Sequence, residues 1–133
     1  MSSPTTGQSA VTTSFDLVLP PDPELLRVVR LVASGLASLT PLDIDAVEEV
    51  RVAADELVAT LMQASDGGPV TVSFAVTNEG LVISGTTGRA VTADFSPDPL
   101  TERILDEVAT SHAWQSQGGE VYGRIEHTVP ESG

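Results

Sequence analysis

The chain has 133 residues, with 19 Asp and Glu against 6 Arg, no lysine, no cysteine and a formal charge of -13. Such a surface releases few counterions from phosphates, which disfavours nucleic acid and anionic lipid as partners and favours a basic protein. The lack of cysteine removes disulfides, thiolate metal ligands and a thiol nucleophile, is compatible with a reducing cytoplasm, and the length suits one domain.

Residues 1–13 are rich in Ser, Thr and Gly and lack the basic and apolar blocks of a secretory signal, so they are expected to form a loose tail before a single domain over 14–130. Phe15, Leu17 and Leu19 alternate with Asp16 and Val18, the period of a strand with one buried face, and Pro20-Pro21 ends it. Residues 23–39 place Leu25, Val28, Val29, Val32, Leu36 and Leu39 at spacings of three and four, which predicts an amphipathic helix with Arg27, Arg30, Ser34 and Ser38 on its other face. Arg27 and Arg30 also interrupt this longest apolar stretch, which falls short of the roughly 20 apolar residues of a membrane span.

A second helix is expected from Pro41 or Asp43 to about Ala64. Its buried stripe is Ile44, Val47, Val50, Ala54, Leu57, Val58 and Leu61, and Asp45, Glu48, Glu49, Asp55 and Glu56 form a solvated acidic face. After Asp66-Gly67-Gly68-Pro69, the alternation of Val70, Val72, Phe74 and Val76 predicts a strand, joined through Asn78-Glu79-Gly80 to a partner over 81–84. Residues 85–96 read as irregular. Asp98-Pro99 then caps a third helix with Leu100, Ile104, Leu105 and Val108 on one face, ending near Ser111, and strands over 113–117 and 120–129 flank Gly118-Gly119. The order predicts an α/β two-layer sandwich, with a mostly antiparallel mixed sheet and three helices on one face.

For acid and base chemistry the candidates are Asp55 and Glu56, and Thr60 lies one turn beyond Glu56 on the same helical face. His112 is expected at the end of the third helix, interacting with its C-terminus, and His127 is in phase with Val121 and Ile125 as a half-buried strand residue. No spacing of metal ligands, Gly-Lys phosphate loop or Gly-x-Ser-x-Gly turn is present.

The run Leu25-Leu26-Arg27-Val28-Val29-Arg30, followed by Asp45-Ala46-Val47-Glu48-Glu49-Val50-Arg51-Val52-Ala53-Ala54-Asp55-Glu56-Leu57, resembles the anti-sigma factor kinases of bacterial partner-switching systems. That family belongs to the GHKL superfamily, which shares its ATP-binding fold with histidine kinases, and the chain is similar to its mycobacterial anti-sigma-F branch. The resemblance implies that Glu56 stands at the catalytic carboxylate, while Thr60 replaces an asparagine that holds Mg²⁺. Thr86-Thr87-Gly88-Arg89-Ala90 stands at an Asp-x-Gly-x-Gly adenine motif, so Thr86 takes the aspartate's place and Gly88 is the retained glycine. A lost buried hydrogen bond of this kind costs about 1 to 3 kcal/mol.

Where the family places a Gly-x-Gly phosphate cradle, this chain has Asp94 and Ser96-Pro97-Asp98-Pro99, and Arg89 is the one nearby cation. Weak or absent ATP binding, and no required cofactor, is therefore expected. What the resemblance leaves is protein binding by a cytoplasmic homodimer: a sigma factor, and a STAS-type anti-anti-sigma protein that counters it, with Arg27 and Arg30 as partner contacts. The alternative it implies is an active serine kinase using Glu56 and Mg-ATP.

Overall fold

Hairpins and two helical connections arrange β1 (Val11–Leu19), α1 (Leu26–Ala37), α2 (Ile44–Ala64), β2 (Val70–Thr77), β3 (Gly80–Thr87), α3 (Pro99–Val108), β4 (Ser111–Gln117) and β5 (Glu120–Thr128) in two layers. The computed structural model describes residues 11–88 and 95–129. Its five strands form one sheet in the order β1-β2-β3-β5-β4, and the helices lie on one face, as an α/β two-layer sandwich requires. Every pairing among these strands is antiparallel, which corrects the expected mixed sheet. The cause is the placement of β5: β3 and β4 run the same way, but β5 lies between them and pairs with both.

Local chemistry sets the element ends. Asp22 accepts from the Glu24 amide at 3.0 Å and starts the 3-10 turn Pro23–Leu25 that leads into α1. Asp43 caps α2 by accepting from the Ala46 amide at 2.8 Å, and Asp98 caps α3 by accepting from Leu100 at 2.7 Å, with Pro99 in the first turn. Gly118 and Gly119, with φ of 63° and 83°, turn β4 into β5, a left-handed pair that other residues adopt at a cost.

The core lies between the inner faces of β2, β3 and β5 and the helices above them. Val70, Val72, Phe74, Leu81, Ile83, Val121 and Ile125 meet Val29, Ala33 and Leu36 of α1 and Val50, Ala54, Leu57, Val58 and Leu61 of α2. Gly85 and Gly123 sit opposite one another on β3 and β5. A β-carbon on Gly85 would come within 2.6 Å of Leu61 Cδ1, and one on Gly123 within 2.7 Å of Leu57 Cδ1. The two glycines thus form a trough that lets α2 settle onto the sheet.

Several boundaries differ from expectation. β1 begins at Val11 rather than Ser14, because Thr13 already pairs with Val76, so the expected tail gives up its last residues to the sheet. β3 continues through Thr87 instead of ending at Ser84, since Gly85 packs under Leu61 and Thr86 and Thr87 pair with both neighbouring strands. α3 stops at Val108, and Ser111 and His112 belong to β4. On α1 the buried residues are Val29, Ala33, Leu36 and Ala37, whereas Val28 is 37% exposed and Leu39, beyond the end of the helix, is 73% exposed. Ile44, at the first turn of α2, is likewise exposed. Residues 89–94, including Arg89, Ala90 and Asp94, lie outside the described residues.

Candidate functional site

The outer side of α2 is occupied by bonded carboxylates, not by a simple solvated face. Arg30 Nη1 of α1 donates to Asp55 Oδ1 at 2.5 Å, Glu49 Oε1 lies 3.1 Å from His127 Nε2 of β5, and Glu56 is hydrogen-bonded to the Thr101 hydroxyl of α3. Each contact spans helices or layers, so three of the expected free acids clamp α2 to its surroundings. Asp45 and Glu48 do remain exposed.

Beside Glu56 a cleft of about 420 Å³ opens between α2 and α3. Its walls are Thr60, Gln63 and Ala64 of α2, Phe95 and Ser96, and Asp98 and Thr101 at the start of α3. Phe95 is held by Trp114 of β4, with ring centroids 5.9 Å apart. Thr60 thus lines the cleft, and Glu56, one turn earlier on the same helical face, adjoins it through Thr101.

Burial pushes the Glu56 carboxyl above its ordinary value of 4.5, and the charges of Asp55 and Asp98 add to the rise against the opposing Thr101 hydrogen bond. The folded state therefore favours the protonated acid. The stability this contributes is complete below pH 4.5 and is lost as pH rises through the folded value. Glu56→Gln, which keeps a hydrogen-bonding group without the charge, should melt higher than the parent at pH 7.5, with the difference vanishing near pH 4. A lower melting temperature at pH 7.5 would mean that the charged Thr101 contact outweighs desolvation.

The other expected cofactor residues are elsewhere. Thr86 pairs with Thr71 and Tyr122 on the sheet face turned away from the helices, beside a shallow cleft with Gln115, Gln117, Glu120 and Tyr122. Thr87, the residue that points inward at this position, is fully buried, and its hydroxyl accepts from the Val121 amide at 3.4 Å. Gly88 is exposed at the end of β3. Glu56 and Thr60 are thus separated from Thr86 by the thickness of the sheet. Of the two expected partner contacts, Arg27 is exposed, whereas Arg30 is the half-exposed member of the Asp55 ion pair.

His112 lies on β4 instead of the helix end, with Nε2 2.6 Å from Asp106 Oδ1 in the last turns of α3. His127 is a half-buried strand residue, as its phase predicts, and together with Glu49, Asp43 and Leu42 it lines a second cleft of about 700 Å³ at the N-terminus of α2. The pairing of Glu49 with His127 and of Glu56 with Thr101 leaves no mark in the local sequence, because the partners are distant in the chain. No group of three His, Asp or Glu among the described residues is placed to hold a metal ion, and no described helix is long and apolar enough to cross a membrane. The chain matches no protein-family model and no curated protein sequence.

Proposed function

We propose that this chain is a protein-binding regulator of the anti-sigma type that works without nucleotide. On this reading it holds a sigma factor away from RNA polymerase and is countered by a STAS-type anti-anti-sigma protein. The element order and the layer of helices on one face of the sheet support kinship with the GHKL fold. One observation carries the loss of nucleotide use. The cleft at Thr60 has the carboxylate of Asp98 in its wall, the charges of Asp55 and Asp98 both bear on neighbouring Glu56, and Arg30, which reaches α2 from α1, is already bonded to Asp55.

A triphosphate brought there would face the like charge of Asp98 with no arginine among the described lining residues, a repulsion that low local dielectric enlarges. Thr86, on the far side of the sheet, supplies nothing to an adenine ring in that cleft. The serine-kinase reading draws on one feature, the raised pKa of Glu56, which suits a general base.

The acidic surface steers a basic partner and speeds its association, with Asp45 and Glu48 of α2 and Glu102 and Glu107 of α3 all exposed and Glu48 also paired with Arg51. Titrating the chain against purified sigma factors in nucleotide-free buffer tests this reading. Saturable binding unchanged by Mg-ATP is expected, and binding to none of them would refute it.

A further inference from the structure

The cleft of about 700 Å³ beside His127 has no role in the reading above. It opens where the loop before α2, the first turns of α2 and the end of β5 meet, at the other end of α2 from Thr60. Its surface is mostly apolar, with Pro41, Leu42, Ala46 and Val129 in its walls, and Asp45 and Glu49 reach it from α2. Its volume falls within the roughly 300 to 1,000 Å³ of pockets that take a ligand or a short peptide segment.

The groove is preformed. The Thr128 amide donates to the Thr110 hydroxyl at 3.0 Å, the Val129 amide donates to the Glu79 carbonyl at 2.8 Å, and the Leu42 amide donates to the Thr40 hydroxyl at 3.2 Å. With Asp43 capping α2 as well, an occupant meets fixed walls and loses little free energy to ordering them.

The charge of the groove is unbalanced. Asp45 and Glu49 are four residues apart on α2, so they are neighbours on one helical face, a spacing at which like charges destabilise a helix. Among the described residues no arginine lines the cleft, and Arg51, close by on α2, is engaged by Glu48 at 3.0 Å. Glu49 Oε1 lies 3.1 Å from His127 Nε2, a bond that orients the carboxylate and leaves its second oxygen for a further donor.

From these features we infer that the groove holds an arginine side chain of a basic protein partner. An arginine stem is apolar and suits the wall of Pro41, Leu42 and Ala46. Its planar guanidinium has five donors and no acceptor, and bridging Asp45 and Glu49 replaces their repulsion with charge-assisted hydrogen bonds. An anion would be repelled by both acids, and an apolar side chain would strip water from them without supplying a partner. Residues 130–133, which follow Val129, contain Glu131 and no base, so charge disfavours them as the occupant. The inference deepens the basic-partner reading: it rests on that reading for the source of the arginine, and on the groove alone for the chemistry.

Amide chemical shifts of the full chain, titrated by NMR with N-acetyl-L-argininamide at about 150 mM NaCl to screen loose surface attraction, provide the test. Saturable shifts are expected over residues 42–49, at 110 and over 127–129, and the uncharged isostere N-acetyl-L-citrullinamide should produce none. Glu49→Gln, which keeps a hydrogen-bonding partner for His127, should weaken binding about tenfold or more, the loss of a bond between charged groups. Exposed Asp45→Asn should weaken it in the same direction, whereas Glu102→Gln on α3 and removal of residues 130–133 should leave it unchanged. Four results would overturn the inference: no saturable shift, an equal response to the citrulline probe, affinity indifferent to Glu49→Gln, or a marked gain on removing residues 130–133, which would make those residues the occupant. No sigma factor is present, so failure here strikes the groove alone, and failure of the sigma-factor titration would leave this result standing.

Discussion

Leu57→Ala should cost about 3 kcal/mol of stability, within the 2 to 5 kcal/mol range for buried leucine truncation. Leu57 is fully buried in α2, and its Cδ1 fills the trough at Gly123. The cavity left behind is bounded by a helix clamped at Glu49, Asp55 and Glu56 and by a sheet, neither of which collapses readily. Against a total of roughly 5 to 15 kcal/mol, this is a large share. Urea unfolding should show a lower midpoint with an unchanged slope. A loss below about 1 kcal/mol would mean that α2 does not sit in the glycine trough.

Association with a basic protein partner should slow by about 10- to 100-fold as ionic strength rises from roughly 10 mM to physiological, because the screening length shrinks from about 30 Å to about 8 Å. The exposed acids of α2 and α3 lie on the helix layer, so the attraction is concentrated there. Replacing Asp45 and Glu48 together by lysine should reduce the low-salt rate in the same direction, since both are exposed. Stopped-flow measurement of the association rate checks both, and a rate indifferent to salt would remove charge as the source of recognition.

The hydrophobic periods carried most of the architecture. The period of two in residues 70–76 and the period near 3.6 in residues 44–61 located β2 and α2, because both elements bury one face in the same core. The caps Asp43 and Asp98 were legible because capping is local. The edges were not. Gly85-Thr86-Thr87 reads as a loop in isolation and becomes strand through Leu61 above it and partners on both sides. Val28 and Leu39 fit the apolar stripe of α1 yet stay exposed, since periodicity cannot tell whether a neighbour exists to cover the flank.

The site divides in the same way. Glu56 and Thr60 lie on one face of α2 because helix geometry alone dictates it, whereas the placement of Thr86 on the opposite sheet face followed from strand register. The bonds of Asp55 to Arg30, Glu49 to His127 and Glu56 to Thr101 join residues far apart in sequence, and nothing local distinguishes them from a solvated acidic face.

The decisive measurement is isothermal titration of the purified chain with Mg-ATP. The carboxylates around the Glu56 cleft, the engaged Arg30 and the outward-facing Thr86 lead to an expected result of no heat of binding and no thermal shift at millimolar nucleotide. Micromolar binding, abolished by substitution of Thr60, would contradict a regulator that works without nucleotide and would favour the serine kinase.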